Sequence, residues 1–313
     1  MNTLTPQRIH NPAEFGFVGL LVGGDSAERE VSLDGGAAVA RSLERSGVRY
    51  EVFDGGPALI EAIEAGGIDR VFNLMHGPGG EDGAIQGVLQ LLRTPVTGSS
   101  LLGSALSMDK VRSKLLLKQQ GISTTEFELV GPHDRDYGNV SERFGFPMFV
   151  KPCGLGSSIG VSKAQNELEL SEAIDLARHY GDEVLVEPAV VGEEYFAGIL
   201  GNCALPLIRI ETPREFYDYE AKYNSDETKY FCPAGLDEDL ELSLRQQSLQ
   251  AFEILQASGW GRVDFILDQN NKPWFLEVNT IPGMTDHSLV PQAAAEMGIN
   301  FDELVWRILE TSL

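Results

Sequence analysis

The stretch Gly261-Arg-Val-Asp-Phe-Ile-Leu-Asp268, followed after Gln269 to Lys272 by Pro273-Trp-Phe-Leu-Glu-Val278 and Asn279, decides the fold. Its two apolar runs predict strands at Gly261 to Asp268 and Pro273 to Val278, joined by a polar hairpin turn. Side chains two apart in a strand share a face, which groups Arg262 with Asp264 and Glu277 with Asn279. Three oxygen-bearing side chains on neighbouring strands, two of them carboxylates, suit Mg2+, which takes hard oxygen ligands and shares them with substrate phosphates. Arg262 would stand beside that metal, where a guanidinium stabilises developing negative charge or pairs with Glu277. A solvent-facing hairpin with ordinary acidic residues is the competing reading. The interleaved Phe265, Leu267, Phe275 and Val278 argue against it.

Upstream, Lys151-Pro-Cys-Gly-Leu-Gly-Ser-Ser-Ile-Gly160 joins strands expected at Phe146 to Val150 and Ser158 to Ser162. Its glycines let backbone N–H groups approach a phosphate chain, and Lys151 adds a point charge. It lacks the Gly-Lys-Ser/Thr of a Walker A loop and both the spacing and the following helix of a dinucleotide fingerprint. A plain turn would explain the glycines, but not the adjoining Lys-Pro and paired serines. Around it the pattern predicts a helix at Ser104 to Gln120, a strand at Thr125 to Val130, a polar loop, a helix at Glu167 to Tyr180 and a strand at Glu183 to Val186.

Earlier in the chain, short apolar runs at Phe15 to Val22, Tyr50 to Phe53, Val71 to Met75 and Pro95 to Thr97 read as strands of an open, largely parallel sheet, with a helix through Ala37 to Leu43. His76 and the glycine-rich Gly77 to Gly83, containing Glu81-Asp82, follow the third strand at its carboxyl end, where open sheets bind ligands. Glu28 holds the corresponding place after the first. After the small lobe come strands at Tyr195 to Leu200 and Leu205 to Ile210, a polar aromatic stretch from Phe216 to Phe231, and helices at Leu240 to Ser258, Leu289 to Met297 and Phe301 to Leu313. The class is α/β, with α+β lobes. Four segments are expected: a flexible 1–14, a Rossmann-like lobe at 15–99, a small central lobe at 100–187 and a C-terminal lobe at 188–313.

The 313 residues suffice for two or three domains, and 42% hydrophobic with 23% charged residues is a globular composition. Twenty-four Lys plus Arg against 47 Asp plus Glu give a net charge of -23, which repels a phosphate backbone, so nucleic acid is not an expected partner. An anionic nucleotide would need locally placed cations. Cys153, Cys203 and Cys232 lack the close pairs of zinc or redox motifs and read as reduced thiols without chemistry. No signal peptide is expected in Met1 to Glu14, and no 18-residue apolar stretch could span a bilayer; the expected location is cytoplasmic, with no membrane partner.

Taken jointly, Gly23-Gly-Asp-Ser-Ala-Glu-Arg-Glu-Val-Ser32, His76-Gly-Pro-Gly-Gly-Glu-Asp-Gly83, Lys151 to Gly160 and Leu276-Glu-Val-Asn-Thr-Ile-Pro-Gly-Met-Thr285 resemble the D-alanine:D-alanine ligases of the ATP-grasp superfamily, in family order and over nearly the whole chain after Glu14. The resemblance implies an ATP-grasp fold with ATP between the sheets of the central and C-terminal lobes. Lys110, Lys151, Ser157, Ser158 and Lys222 would face the phosphates, Glu187, Pro188 and Val190 the adenine region, and Glu194 a ribose hydroxyl. Asp264, Glu277 and Asn279 would hold two Mg2+ or Mn2+ ions.

The same resemblance implies a carboxylate of D-alanine attacking the γ-phosphate to give an acyl phosphate, which the amine of a second D-alanine attacks, for peptidoglycan precursor synthesis. Glu28 and His76 would serve the first D-alanine, Arg262 and the Gly283 N–H the tetrahedral oxyanion, and Ser288 and Leu289 the second carboxylate. Tyr217 to Tyr223 matches a loop that closes over the site, with Tyr223 reaching towards Ser157 and Glu28. Tyrosine there, where ester-forming relatives carry phenylalanine, favours the dipeptide. Ala189 departs from the family by offering no ring to adenine, and the Cys153 to Leu155 segment departs in the phosphate loop. A homodimer is implied as well. Competing readings are an ATP-grasp ligase for another acid, or a silent nucleotide-binding protein, which would not need Arg262, Asp264, Glu277, Asn279, Lys222 and Tyr223 together.

Overall fold

The computed structural model of the chain describes residues 4, 6–134, 137–156, 158–213, 227–285 and 287–313. Three sheets, one parallel and two antiparallel, carry it.

The first is three-stranded, with β1 (Phe17–Val22) between β2 (Arg49–Asp54) and β3 (Arg70–Asn73). Alternation along β1 sends Val18, Leu20 and Val22 to one core and Leu21 to another, so the strand is covered on both faces, as parallel strands usually are. Pro95 to Thr97 does not form the fourth strand expected of it. Val96 makes a single parallel bridge to Val71. Helices α1 (Arg29–Arg45), α2 (Gly56–Glu64) and α3 (Ala84–Leu91) complete the lobe.

The one long helix expected from Ser104 to Gln120 is two, α4 (Leu101–Met108) and α5 (Lys110–Gln119). The break lies at Asp109, which is extended and accepts the Arg112 N–H at 2.8 Å, capping α5. This break places Lys110 in the first turn of a new helix, facing the cleft.

The central lobe is a four-stranded sheet in the order β4 (Glu128–Val130), β7 (Val184–Pro188), β5 (Met148–Pro152), β6 (Ser162–Ala164), backed by α6 (Gly138–Phe144) and α7 (Glu167–Arg178). Helix α6 occupies what was expected to be loop, and the strand expected at Ser158 to Ser162 starts only at Ser162. Ser158 itself sits at φ 58°, a left-handed conformation that ends the glycine-rich turn.

The C-terminal sheet is antiparallel, in the order β10 (Lys229–Phe231), β9 (Cys203–Glu211), β8 (Gly192–Leu200), β11 (Trp260–Asp268), β12 (Pro273–Asn279). On β11, Val263, Phe265 and Leu267 enter a core shared with α8 (Glu238–Ile254), which turns Arg262, Asp264 and Ile266 to the opposite face. Helices α9 (Leu289–Glu296) and α10 (Phe301–Leu309) join the first lobe's core to this sheet through Val290, Leu304 and Ile308.

The leader expected to be flexible is seated from Arg8 onward. The Arg8 and Ile9 N–H groups both donate to Glu310 Oε1, at 2.8 and 2.7 Å, and Trp306 Nε1 donates to the Ile9 carbonyl at 3.1 Å. The three cysteines are free, and no helix among the described residues is long and apolar enough to cross a membrane.

Candidate active site

Two cavities open between the lobes and meet at Lys110 and Glu277, which line both. The larger, about 810 Å³, lies between the central and C-terminal sheets. Strand alternation builds its walls. Met148 and Val150 of β5, with Val184 and Val186 of β7, point into the small lobe's core, so Phe149, Lys151 and Glu187 face the cleft, joined by Pro188, Val190 and Glu194. Ser158 lines the same cavity.

Glu187, 2% exposed, is surrounded by cations. Lys151 Nζ lies 2.5 Å from Oε1 and Lys114 Nζ 2.7 Å from Oε2, while the Thr125 hydroxyl donates to Oε2 at 2.5 Å. Burial alone would raise the Glu187 carboxyl, but Lys114 and Lys151 outweigh it and hold it well below the carboxylate range. At Lys151 burial pulls the ammonium down, and Glu187 more than compensates, leaving it raised.

The hairpin keeps the arrangement expected of it. Asp264 pairs across the strands with Glu277, and Arg262 with Asn279. The register shifts between Asp264 and Phe265, so Leu276 is an extra residue on β12, and Leu276 and Glu277 face the cleft in succession. Such bulges re-aim side chains beside functional sites. Arg262 grips Asp264 with two bonds of 2.7 Å and lies over the Phe196 ring, 5.3 Å from its centroid. Glu277 is matched by Lys110 at 3.4 Å, and the Asn279 amide donates to Asp264 at 3.1 Å. Arg262 thus pairs with Asp264, two residues on in the same strand.

Among the described residues no three His, Cys, Asp or Glu converge on one point. The donor set is therefore two carboxylates and one amide. Two carboxylates facing each other across a strand pair repel unless compensated, and here Arg262 and Lys110 compensate them. Hard oxygen donors in that state fit Mg2+ or Mn2+.

The second cavity, about 580 Å³, is lined by Glu28, His76, Glu81, Arg262 and Gly283 among others. Three buried acidic or imidazole groups gather there. The Ser26 hydroxyl donates to the His76 carbonyl at 2.8 Å, tying the loop after β1 to that after β3, and the Gly77 N–H donates to Glu81 Oε2 at 2.7 Å within the second loop. A Cβ on Gly77 would come within 2.9 Å of the Glu28 carboxylate and one on Gly156 within 3.3 Å, so both glycines pack closely on Glu28, and Gly77, at φ 72°, also adopts a backbone conformation that favours glycine. Burial pushes His76 down to about 4, and burial followed by the charge of Glu28 pushes Glu81 up to about 8.

Most expected site residues are brought together. Glu28, His76, Arg262 and Gly283 share the second cavity; Lys151, Ser158, Glu187, Pro188, Val190, Glu194 and Asp264 share the first; Lys110 and Glu277 join them. Asn279 lines the second cavity. Ser288 and Leu289 line neither. The Ser288 hydroxyl, beside Gly283, accepts the Thr285 N–H at 2.9 Å, and Leu289 is in the core. Ser157, Lys222 and Tyr223 lie outside the described residues. Burial pushes the Cys153 thiol up to about 11.

Sequence reasoning gave no role to Glu81, Lys114 and Thr125. The spacing Lys110 to Lys114, one helical turn, was the available signal for Lys114. Nothing local marks Thr125.

A family described as D-ala D-ala ligase C-terminus matches residues 116–310. The D-alanine–D-alanine ligase of Methylococcus capsulatus is 49% identical over 306 residues, 98% of this chain and 99% of that protein. That of Alkalilimnicola ehrlichii is 51% identical over 297 residues, covering 95% and 94%. Among solved structures, D-alanine–D-alanine ligase from Bacillus anthracis complexed with ATP superimposes at a TM-score of 0.83 with 30% identity, over 95% of this chain and 97% of that one.

Proposed function

This chain belongs to the D-alanine–D-alanine ligase family, and from that premise we propose that it joins two D-alanine molecules into D-alanyl-D-alanine for peptidoglycan, converting ATP to ADP and phosphate on its ATP-grasp fold. The observation that carries the reading is the meeting of the two cavities at Lys110 and Glu277. One cavity offers buried cations to a polyanion, and the other offers the Glu28 carboxylate to an ammonium.

In this reading the nucleotide lies along β5 and β7, with adenine against Glu187, Pro188 and Val190, the ribose at Glu194, and the phosphates reaching Lys110, Lys151, Ser157 and Ser158. The first D-alanine places its ammonium at Glu28, near His76, and its carboxylate at the junction. A carboxylate oxygen attacks the γ-phosphorus, the bond to the β-bridging oxygen breaks, and ADP leaves. The amine of the second D-alanine attacks the acyl carbon; Arg262 and the Gly283 N–H stabilise the oxyanion, the acyl C–O bond breaks, and inorganic phosphate departs with the proton that the amine gives up. Ser288 and Leu289 at the start of α9 receive the second carboxylate, with the Ser288 hydroxyl turning from Thr285. Asp264, Glu277 and Asn279 would hold divalent metal, which supplies charge neutralisation between phosphate oxygens. Lys222 and Tyr223, outside the described residues, are the side chains that would keep water from the acyl phosphate. Exposed Leu91 at the end of α3 and Leu101 and Leu102 at the start of α4 supply apolar surface that a homodimer would cover, and the reaction's place is the cytoplasm.

The test is ADP release with ATP, Mg2+ and either D-alanine or D-lactate, products identified by mass spectrometry. D-alanyl-D-alanine formed only with D-alanine is expected. ADP release without dipeptide would point to another acceptor, and no ADP release would leave a binding protein.

A further inference from the structure

Lys114 is the most deeply buried cation of the cleft, and it stands behind the cavity wall, not in it. Its side chain is 3% exposed and does not line the cavity, whereas Lys151, on the other side of the same carboxylate, is 16% exposed and does. All three ammonium hydrogens of Lys114 have a partner. They reach the Thr124 hydroxyl at 2.8 Å, the Thr125 hydroxyl at 2.6 Å and Glu187 Oε2 at 2.7 Å. Thr125 in turn donates to Glu187 Oε2. Oε2 is thereby fixed from behind, and Oε1 is left to Lys151 alone among these residues.

We propose that Lys114 is a positioning residue that sets nucleotide affinity: by holding Glu187 from behind, it allows Lys151 to leave that carboxylate for the phosphates of an adenine nucleotide. The inference rests on the reading of this cleft as the ATP site. To turn all three of its ammonium hydrogens to a phosphate chain, Lys151 must give up the contact it makes with Glu187 Oε1 at 2.5 Å. Its departure would strand a buried carboxylate, which is costly when no other charge compensates. With Lys114 in place the carboxylate keeps a cation and a hydroxyl after Lys151 has gone. Without Lys114, Lys151 is the single cation on Glu187, and the nucleotide must compete with a closed ion pair. The cluster of two lysines and one glutamate also carries a net positive charge, in a chain whose overall charge of -23 repels ATP.

The experiment titrates ATP and adenosine into the purified full chain and its Lys114→Met, Glu187→Gln and doubly substituted forms by calorimetry, with steady-state kinetics alongside. In Lys114→Met, ATP affinity is expected to fall by about tenfold or more, the scale of one charge-assisted contact. Adenosine, which asks nothing of Lys151, should bind within about twofold of the parent on the same argument. The KM for ATP should rise while the KM for D-alanine and kcat hold. Equal losses for ATP and adenosine would mean a merely structural role and overturn the proposal. Should Lys114→Met fail to fold, the double form decides. With Glu187 neutral, Lys114 has nothing to compensate, so Lys114→Met/Glu187→Gln should bind ATP like Glu187→Gln. A further tenfold loss in the double form would overturn the inference. If the unsubstituted chain does not bind ATP, the cleft reading falls and takes this inference with it; ATP binding that is indifferent to Lys114→Met sinks the inference alone.

Discussion

Arg262→Met separates the structural work of this guanidinium from its chemical work. The Asp264 side chain is 6% exposed and takes two bonds of 2.7 Å from Arg262, against one of 3.1 Å from Asn279. Removing one member of a buried ion pair costs about 3–5 kcal/mol, and the Asn279 bond that remains places this case near the lower end. At about 1.5 °C per kcal/mol for a chain of 313 residues, the unfolding midpoint in EDTA should fall by about 5 °C. A divalent ion held by Asp264 and Glu277 restores the missing positive charge, so saturating Mg2+ should close most of that gap. It should not restore turnover. Losing one donor to an oxyanion costs about 10²–10³ in kcat, and methionine has no donor to offer. Thermal unfolding in EDTA and in Mg2+, with kcat from coupled ADP release, measures both. A midpoint lowered equally under the two conditions would refute the metal assignment of Asp264. A kcat within about tenfold of the parent at saturating substrates and Mg2+ would refute the oxyanion role.

Glu277→Ala should abolish turnover and leave the circular dichroism spectrum unchanged, since Lys110, its partner, still bonds the Leu155 carbonyl at 2.5 Å; full activity in that variant would remove the metal reading. The buried pair His76 and Glu81 predicts a pH dependence of stability. Burial lowers folded His76 to about 4, so the unfolded chain binds more protons between about 4 and 6.5 and stability rises with pH there. Glu81, raised by burial and Glu28 to about 8, works oppositely: the folded chain holds the extra proton from about 4.5 to 8, and stability falls across that range. The two slopes offset each other up to about 6.5, leaving a net decline towards pH 8 that Glu81→Gln should flatten in thermal unfolding; an equal decline in that variant would discount Glu81. Tyr223→Phe should increase ester formation when D-lactate competes with D-alanine, and an unchanged product ratio by mass spectrometry would count against tyrosine as the residue that favours the amine.

Much of the site was legible because strands encode side-chain direction in parity. Arg262 and Asp264 could be placed on one face from spacing alone, and β11 bears this out because Val263, Phe265 and Leu267 are apolar enough to fix the other face in a core. The bulge at Leu276 was not legible: an extra residue leaves no mark when both neighbours suit a half-buried strand, and here it preserves the parity of Glu277 and Asn279. The break at Asp109 was missed for a related reason, since the helical pattern continues through it and only the cap to Arg112 reveals the stop. Pro95 to Thr97 had strand composition but found one bridge, because pairing depends on a neighbour's register and not on the segment itself. Glu81 and Thr125 owe their significance to burial beside Glu28 and Glu187, contacts across 53 and 62 residues of chain that no local pattern reports.

The same design recurs at each place where the cleft meets charge. Arg262 is held by Asp264, Lys110 is matched by Glu277, and Lys151 by Glu187. A cation needed for a phosphate or an oxyanion would be costly to bury alone, and in a chain of net charge -23 a carboxylate is always at hand to pair with it. Pairing makes each group affordable to bury but also engages it, so ligands must exchange partners with the pair. On the proposed reading a divalent ion would take Glu277 as the phosphates take Lys110, and Asp264 as the oxyanion takes Arg262; the first exchange would make nucleotide and metal strengthen each other's binding by the same factor. The third pair lies away from the metal residues, beside the adenine end, and a metal cannot relieve it. That is where the buried Lys114 stands, in the place of the ion that the proposed reading assigns to the other two pairs.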